Sequence, residues 1–298
     1  MRDTRPAVVG VVWRQEPNIV PLPQKLLREG LHVPADTARI RVRVRRDEPH
    51  AHRVIVEHVS ECATLQPVAQ RNFLKLTFIR VLPEWRRRSA EERAQDKREL
   101  IAACRSFGEE HYLRTYSLVG TRGDCDLMIR AVAASLDPIH ELHVLLNQSG
   151  LMRWAEIAHS YLAMTKESIY SDEPLPLEPR PGSDARYLIV YPMWKKREWY
   201  LLPREERMRV MRGHIETGKR YTGIEINTAY SYGLDDQEFV VSFNADDPAE
   251  FLDLVQELRS TESSAYTESE TPIFTCLSVT PERALDALDG EAVTVAHR

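Results

Sequence analysis

The chain carries two copies of one pattern. Residues 116–146 read YSLVGTRGDCDLMIRAVAASLDPIHELHVLL, and residues 230–258 read YSYGLDDQEFVVSFNADDPAEFLDLVQEL. Each gives Tyr-Ser, a turn with Gly and Asp, an apolar strand, and Asp-Pro opening a helix with an apolar face. Upstream, FLKLTFIRVLPEWRRRSAEER runs parallel to YLIVYPMWKKREWYLLPREER. A duplication of this kind constrains the fold more than composition does, because each copy is one supersecondary unit that buries its apolar face against a neighbour.

Both halves read strand, helix, strand, turn, strand, helix, strand, with short strands rich in Val, Ile, Phe and Tyr. Helix starts are marked by Ser89 with Glu92 in a capping-box pattern, by Pro203 in a first turn, and by Asp247-Pro248. SYLAMTKES (160–168) and IFTCLSV (273–279) are the expected closing strands. The reading is an α+β fold of two ferredoxin-like βαββαβ repeats, a dimeric α/β-barrel-like subunit with helices on one face of each antiparallel sheet. Two such sheets, facing each other, are expected to enclose a pocket. The first repeat spans 71–170 and is structural; the second spans 186–285. The Pro-rich stretch 171–185 links them, and 286–298 is a tail. Residues 1–70 are an extension outside the repeat. There ARIRVRVRR alternates apolar and basic residues, and RVIVEHV pairs with it across the DEPHAH turn, Glu57 meeting an arginine. Charges on such a strand mainly guard an edge.

Composition excludes several classes. The net charge of −5, with acids and bases mixed, gives no nucleic-acid or anionic-membrane partner. No run of about 18 apolar residues is present, so no membrane span is expected. The stretch MRDTRPAVVGVVWRQEP makes a poor secretory signal, and a cytoplasmic location is expected. Four scattered cysteines with no C-x-x-C argue against zinc or iron–sulfur binding. His50 with His52, and His140 with His143, read as solvated or packed side chains rather than ligands.

The repeat supplies its own control. Aligning the two EER triplets sets Leu100 opposite His214. On its helix His214 shares a face with Met208, Met211 and Ile215, which turns it toward the sheet. Two readings stay open: a satisfied core histidine, or a neutral imidazole presented to haem iron in an apolar cavity. On the preceding strand Tyr187, Ile189, Tyr191 and Met193 share one face, with Leu188 and Val190 on the other and Lys195 just beyond. Pro192 marks an edge or strand end. A phenol beside a redox cofactor can be oxidised to a radical.

These residues carry a resemblance. YPM-x-K, W-Y-x-L-P-x-E-E-R, R-x-H before G-[KR]-[KR]-Y, G-[LF]-D-D, F-x-[AT]-D-D and L-R-x-x-E-x-S occur in order. Together they resemble the coprohaem decarboxylase branch of the chlorite dismutase superfamily, over about residues 72–280. The resemblance implies haem in the C-terminal half, with His214 as the iron's axial ligand. Tyr191 matches the radical-forming tyrosine and Lys195 the lysine beside a reacting propionate. Met193, Trp199, Arg259 and Ser264 match positions that line the pocket or hold propionates. Glu262 is placed near His214, where a carboxylate accepts the imidazole N–H. The implied activity is hydrogen-peroxide-dependent oxidative decarboxylation of iron coproporphyrin III (coprohaem) to protohaem b. A haem-binding peroxidase and a haem sensor or carrier of the same superfamily are the alternatives. Chlorite breakdown is disfavoured, because GIEINTAYSYG lacks the arginine it needs; Asn227 or Ile226 falls there, and Asn227 offers an amide to a propionate or peroxide. The resemblance also implies a ring-shaped homo-oligomer, typically a pentamer, and a transient contact with a ferrochelatase.

Overall fold

The structure is a computed structural model. It describes residues 71–170 and 185–290 with their side chains, and the backbone of 40–48 and 51–58. The chain divides into two units, residues 1–67 and 68–298. In the first, β1 (Ile40–Glu48) and β2 (Ala51–His58) pair antiparallel, with Arg41 opposite Glu57. The centre of the DEPHAH turn with His50, the Pro-rich linker at 171–184, and residues 291–298 lie outside the described residues.

The second unit holds the two repeats. The first runs β3 (Phe73–Val81), α1 (Ala90–Gly108), β4 (Tyr112–Ser117), β5 (Leu127–Ala133), α2 (Leu136–Gln148) and β6 (Ala155–Met164). The second runs β7 (Tyr187–Lys195), α3 (Arg197–Leu201), α4 (Arg204–Arg220), β8 (Ile224–Tyr230), β9 (Phe239–Ala245), α5 (Pro248–Arg259), β10 (Thr267–Ser269) and β11 (Phe274–Val279). A last helix, α6 (Pro281–Asp289), follows. Local chemistry sets these boundaries. Ser89 and Glu92 close a reciprocal capping box at α1, and the Asp247 carboxylate accepts from the Ala249 amide at α5. The turns between β4 and β5 and between β8 and β9 each use a left-handed glycine, Gly120 (φ 86°) and Gly233 (φ 70°). β6 starts five residues before the expected strand, because Glu156 and His159 interrupt the apolar alternation over Ala155–His159, where the pairing with β3 also shifts register.

Within each repeat the strand order is fourth, first, third, second, and every pairing is antiparallel. The fourth strand of each repeat meets the second strand of the other, β11 with β4 and β6 with β8, so eight strands close into a barrel. Its interior is filled by side chains from all eight, including Leu76, Met128, Leu188 and Val190. Phe78 stacks on Phe274 there at 4.0 Å. The pocket expected between the facing sheets is therefore packed solid; the cavity lies elsewhere. Helices cover the outside, so β5 is buried on both faces along its whole length, Arg130 included.

Outside the first repeat, Trp85, Leu100, Phe107 and Leu142 fill the space between sheet and helices. Burying each of these side chains contributes about 2–3 kcal/mol. Helix α6 completes that layer with Ala284, Leu285 and Leu288. Its far end is pinned by Arg93 Nε to Asp289 at 2.8 Å and Lys97 Nζ to Asp286 at 3.0 Å. Helix α6 thus packs on the first repeat and runs across the tail boundary drawn at 285. Among the described residues no helix is long and apolar enough to cross a membrane.

Candidate functional site

A cavity of about 630 Å³ opens between the outer face of the second repeat's sheet and α4, a volume typical of small-molecule sites. Strand alternation aims Tyr187, Ile189, Tyr191 and Met193 outward, toward this side, while Leu188 and Val190 enter the barrel. Tyr191 is buried, with its ring 5.7 Å from that of Phe243. Burial, reinforced by the charge of Glu270, keeps its phenol protonated well above the ordinary range.

His214 lies on α4 and lines the cavity. Burial, with a smaller contribution from the Lys195 charge, pushes its pKa down to about 4, so the imidazole is neutral at physiological pH. Its Nδ1 stands 3.4 Å from Thr261 Oγ1, and that hydroxyl donates to the Leu258 carbonyl at 2.7 Å. The hydroxyl oxygen is left to accept from Nδ1–H, which gives Nε2 the bare lone pair. Glu262 does not play this part. Its carboxylate is exposed and forked onto Arg209 at 2.7 and 2.9 Å, where water and a guanidinium satisfy it better than a buried imidazole would.

Lys195 ends β7 in a buried position. Its Nζ donates to Thr267 Oγ1 at 3.1 Å and to Ser263 O at 3.3 Å, and lies 5.3 Å from the centre of the Trp199 ring. Burial, opposed by the charges of Glu270 and Glu238, lowers its pKa to about 8. Trp199 is buried with its ring 5.4 Å from that of Tyr266. Arg259, half-exposed, is ion-paired with Glu270 at the cavity edge, and Ser264 also lines the wall.

Asn227 and Ile226, the two residues named for one position, both line the cavity. Register sets Glu225 opposite Asn244 and Asn227 opposite Ser242, on the face whose Ala229 belongs to the barrel interior. The Asn227 amide lies 3.4 Å from the Glu225 carboxylate. Ile224 and Ile226 take the other face and pack against Tyr191 and Phe243. Ile226 thus reaches the cavity from the strand face that carries Tyr191, and Asn227 borders it from the opposite face. Sequence reasoning missed Thr261, Ser263 and Thr267, whose only signal is a Ser/Thr-rich turn after a helix. It also missed Tyr200, whose hydroxyl donates to Glu238 at 2.6 Å and meets Tyr232 at 2.8 Å. His143 binds through both ring nitrogens, to Thr77 Oγ1 and the Ile139 carbonyl, each at 2.8 Å, which engages it as a packed side chain.

A neutral imidazole donor, an apolar cavity wall and cations at the rim form a donor set that fits a haem bearing carboxylates. The model of the family described as chlorite dismutase matches residues 90–279. The chain belongs to the chlorite dismutase family. Within it, this chain is 28% identical over 174 residues to a coproheme decarboxylase from Mycolicibacterium smegmatis, covering 58% of this chain and 75% of that protein. A haem-binding protein from Thermus thermophilus superposes with a TM-score of 0.65 at 27% identity, over 74% of this chain and 95% of that one. A chlorite dismutase from Candidatus Nitrospira defluvii superposes at 0.67 with 18% identity, over 73% and 95%, a likeness of fold alone.

Proposed function

We propose that this protein is a haem-dependent oxidoreductase that converts iron coproporphyrin III to protohaem b with hydrogen peroxide. The observation that carries the reading is that neutral His214 and buried Tyr191 line one cavity of the second repeat. Two of the four propionate side chains react, each with one peroxide, to give a vinyl group, one carbon dioxide and two waters. When bound, the iron porphyrin supplies the oxidising power of the peroxide. His214 would hold the iron through Nε2, its ring oriented by Thr261 at Nδ1. Tyr191 would give up an electron and its hydroxyl proton to the peroxide-derived oxidant and then take a hydrogen atom from the propionate β-carbon, which restores the phenol; loss of carbon dioxide and of a second electron to the same oxidant would leave the vinyl group. Lys195, with a pKa near 8, faces the carboxyl group as a cation and orients it for loss. The apolar wall of Ile226, Val241 and Phe243 excludes water from the radical. A cytoplasmic location, a pentameric ring and a transient ferrochelatase contact belong to the same proposal.

The test is peroxide titration of the protein loaded with ferric coproporphyrin III, read by mass spectrometry of the porphyrin. Stepwise loss of two carboxyl groups, abolished in Tyr191→Phe, supports the reading. Bleaching with every carboxyl intact overturns it, and leaves a haem carrier or a peroxidase, in line with the haem-binding Thermus relative.

A further inference from the structure

The two repeats place an arginine at the same point of their first helix, and only one of them is satisfied. Aligning EER with EER sets Arg93 of α1 opposite Arg207 of α4. Arg93 Nε donates to the Asp289 carboxylate of α6 at 2.8 Å, and its Nη1 donates to the Arg88 carbonyl. That carboxylate is itself buried. Arg207 lines the cavity of the second repeat, where no counterpart of α6 packs among the described residues. Its Nε is buried and has no hydrogen-bond partner there. Buried guanidinium N–H groups are rarely left this way, and such an atom marks a place that a missing acceptor fills. The fork of a guanidinium selects a carboxylate in two-point geometry.

We infer that Arg207 is a carboxylate-binding residue of the cavity, and that a ligand carboxylate takes there the place that Asp289 takes in the first repeat. The inference rests on the porphyrin reading above and deepens it. Arg207 adds an anchor on α4, separate from Lys195 on β7 and from Arg259, which Glu270 already engages. The first repeat shows the geometry that the chain itself builds when the carboxylate is its own.

The experiment is an equilibrium titration of the full chain, and of its Arg207→Met and Arg207→Lys variants, with two probes. One is ferric coproporphyrin III; the other is its neutral tetra-amide. Arg207→Met is expected to weaken the tetra-acid by at least about tenfold, the range of a charge-assisted hydrogen bond. It should leave the tetra-amide within about twofold, with Arg207→Lys recovering part of the loss. Melting temperature is expected to hold, because the group removed makes no internal hydrogen bond at Nε. Unchanged affinity for the tetra-acid, or an equal loss for both probes, overturns the assignment and leaves Arg207 a structural residue. Failure of the unaltered protein to bind either probe overturns the porphyrin reading itself, and this inference with it.

Discussion

Replacing His214 with leucine separates a working imidazole from a core histidine, and the first repeat already carries that residue at the matching position, Leu100. The structure bounds the cost to stability. His214 makes one long contact, 3.4 Å to Thr261 Oγ1, and a hydrogen bond of that quality contributes no more than about 0.5 kcal/mol. Leucine returns about 1 kcal/mol by burying apolar surface in place of a neutral ring. The net change is thus within about 1 kcal/mol, or roughly 2–4 °C in Tm for a domain of this size. Ferric coproporphyrin III affinity, by contrast, should fall at least about tenfold if the iron loses its ligand. Thermal melts and Soret titrations of both proteins measure the two effects, and added imidazole should restore the porphyrin spectrum in His214→Gly. A Tm lower by more than about 8 °C, with porphyrin affinity and spectrum unchanged, would refute the assignment and return His214 to the core.

Two further outcomes test other parts of the molecule. The Arg122 guanidinium, and after it His159, holds the Asp124 carboxyl well below its usual range. A carboxyl depressed in the folded state stabilises the protein above its unfolded pKa of about 4 and loses that contribution as pH falls. Asp124→Asn is therefore expected to lower stability at pH 7 and flatten the acid limb of the stability profile below about pH 4; an unchanged profile in urea melts across pH counts against it. Leu285→Ala removes a fully buried side chain of α6 and should cost about 2–4 kcal/mol in urea unfolding while leaving porphyrin affinity intact. A loss of affinity as large as the loss of stability would mean that α6 supports the second repeat after all.

Much of this was legible in the chain because it rested on local periodicity. Alternation along Tyr187–Met193 put Tyr191 and Met193 on one face, and the EER alignment singled out His214 against Leu100. What was not legible depends on contacts far apart in sequence. Closure of the barrel joins β11 to β4 and β6 to β8, and no local pattern distinguishes that from two separate sheets. The partner of Glu262 is Arg209, 53 residues away, which only the docking of α4 on the turn after α5 decides. The choice between Asn227 and Ile226 stayed open for a sharper reason: a one-residue uncertainty of register moves a side chain to the opposite face of a strand.

The same sheet-and-helix unit is solid in one repeat and hollow in the other, and the aligned helices account for the difference. Leu100, Cys104 and Phe107 of α1 are buried in the first repeat's outer layer. Their counterparts are His214 and Gly218 of α4 and Tyr221 just after it, all on the cavity wall. Removing the side chain at Gly218 opens space in front of Ile226, whose Cδ1 lies 3.2 Å from where a Cβ would stand. The second contribution is α6, which inserts three apolar side chains and the Asp289 carboxylate into the first cleft and leaves the second without an equivalent among the described residues. Apolar surface and arginine are left waiting in the second cleft for what the first obtains from its own chain. A flat ligand with an apolar body and carboxylate arms matches that requirement, whereas an apolar ligand without carboxylates would leave Arg207 Nε buried and unsatisfied.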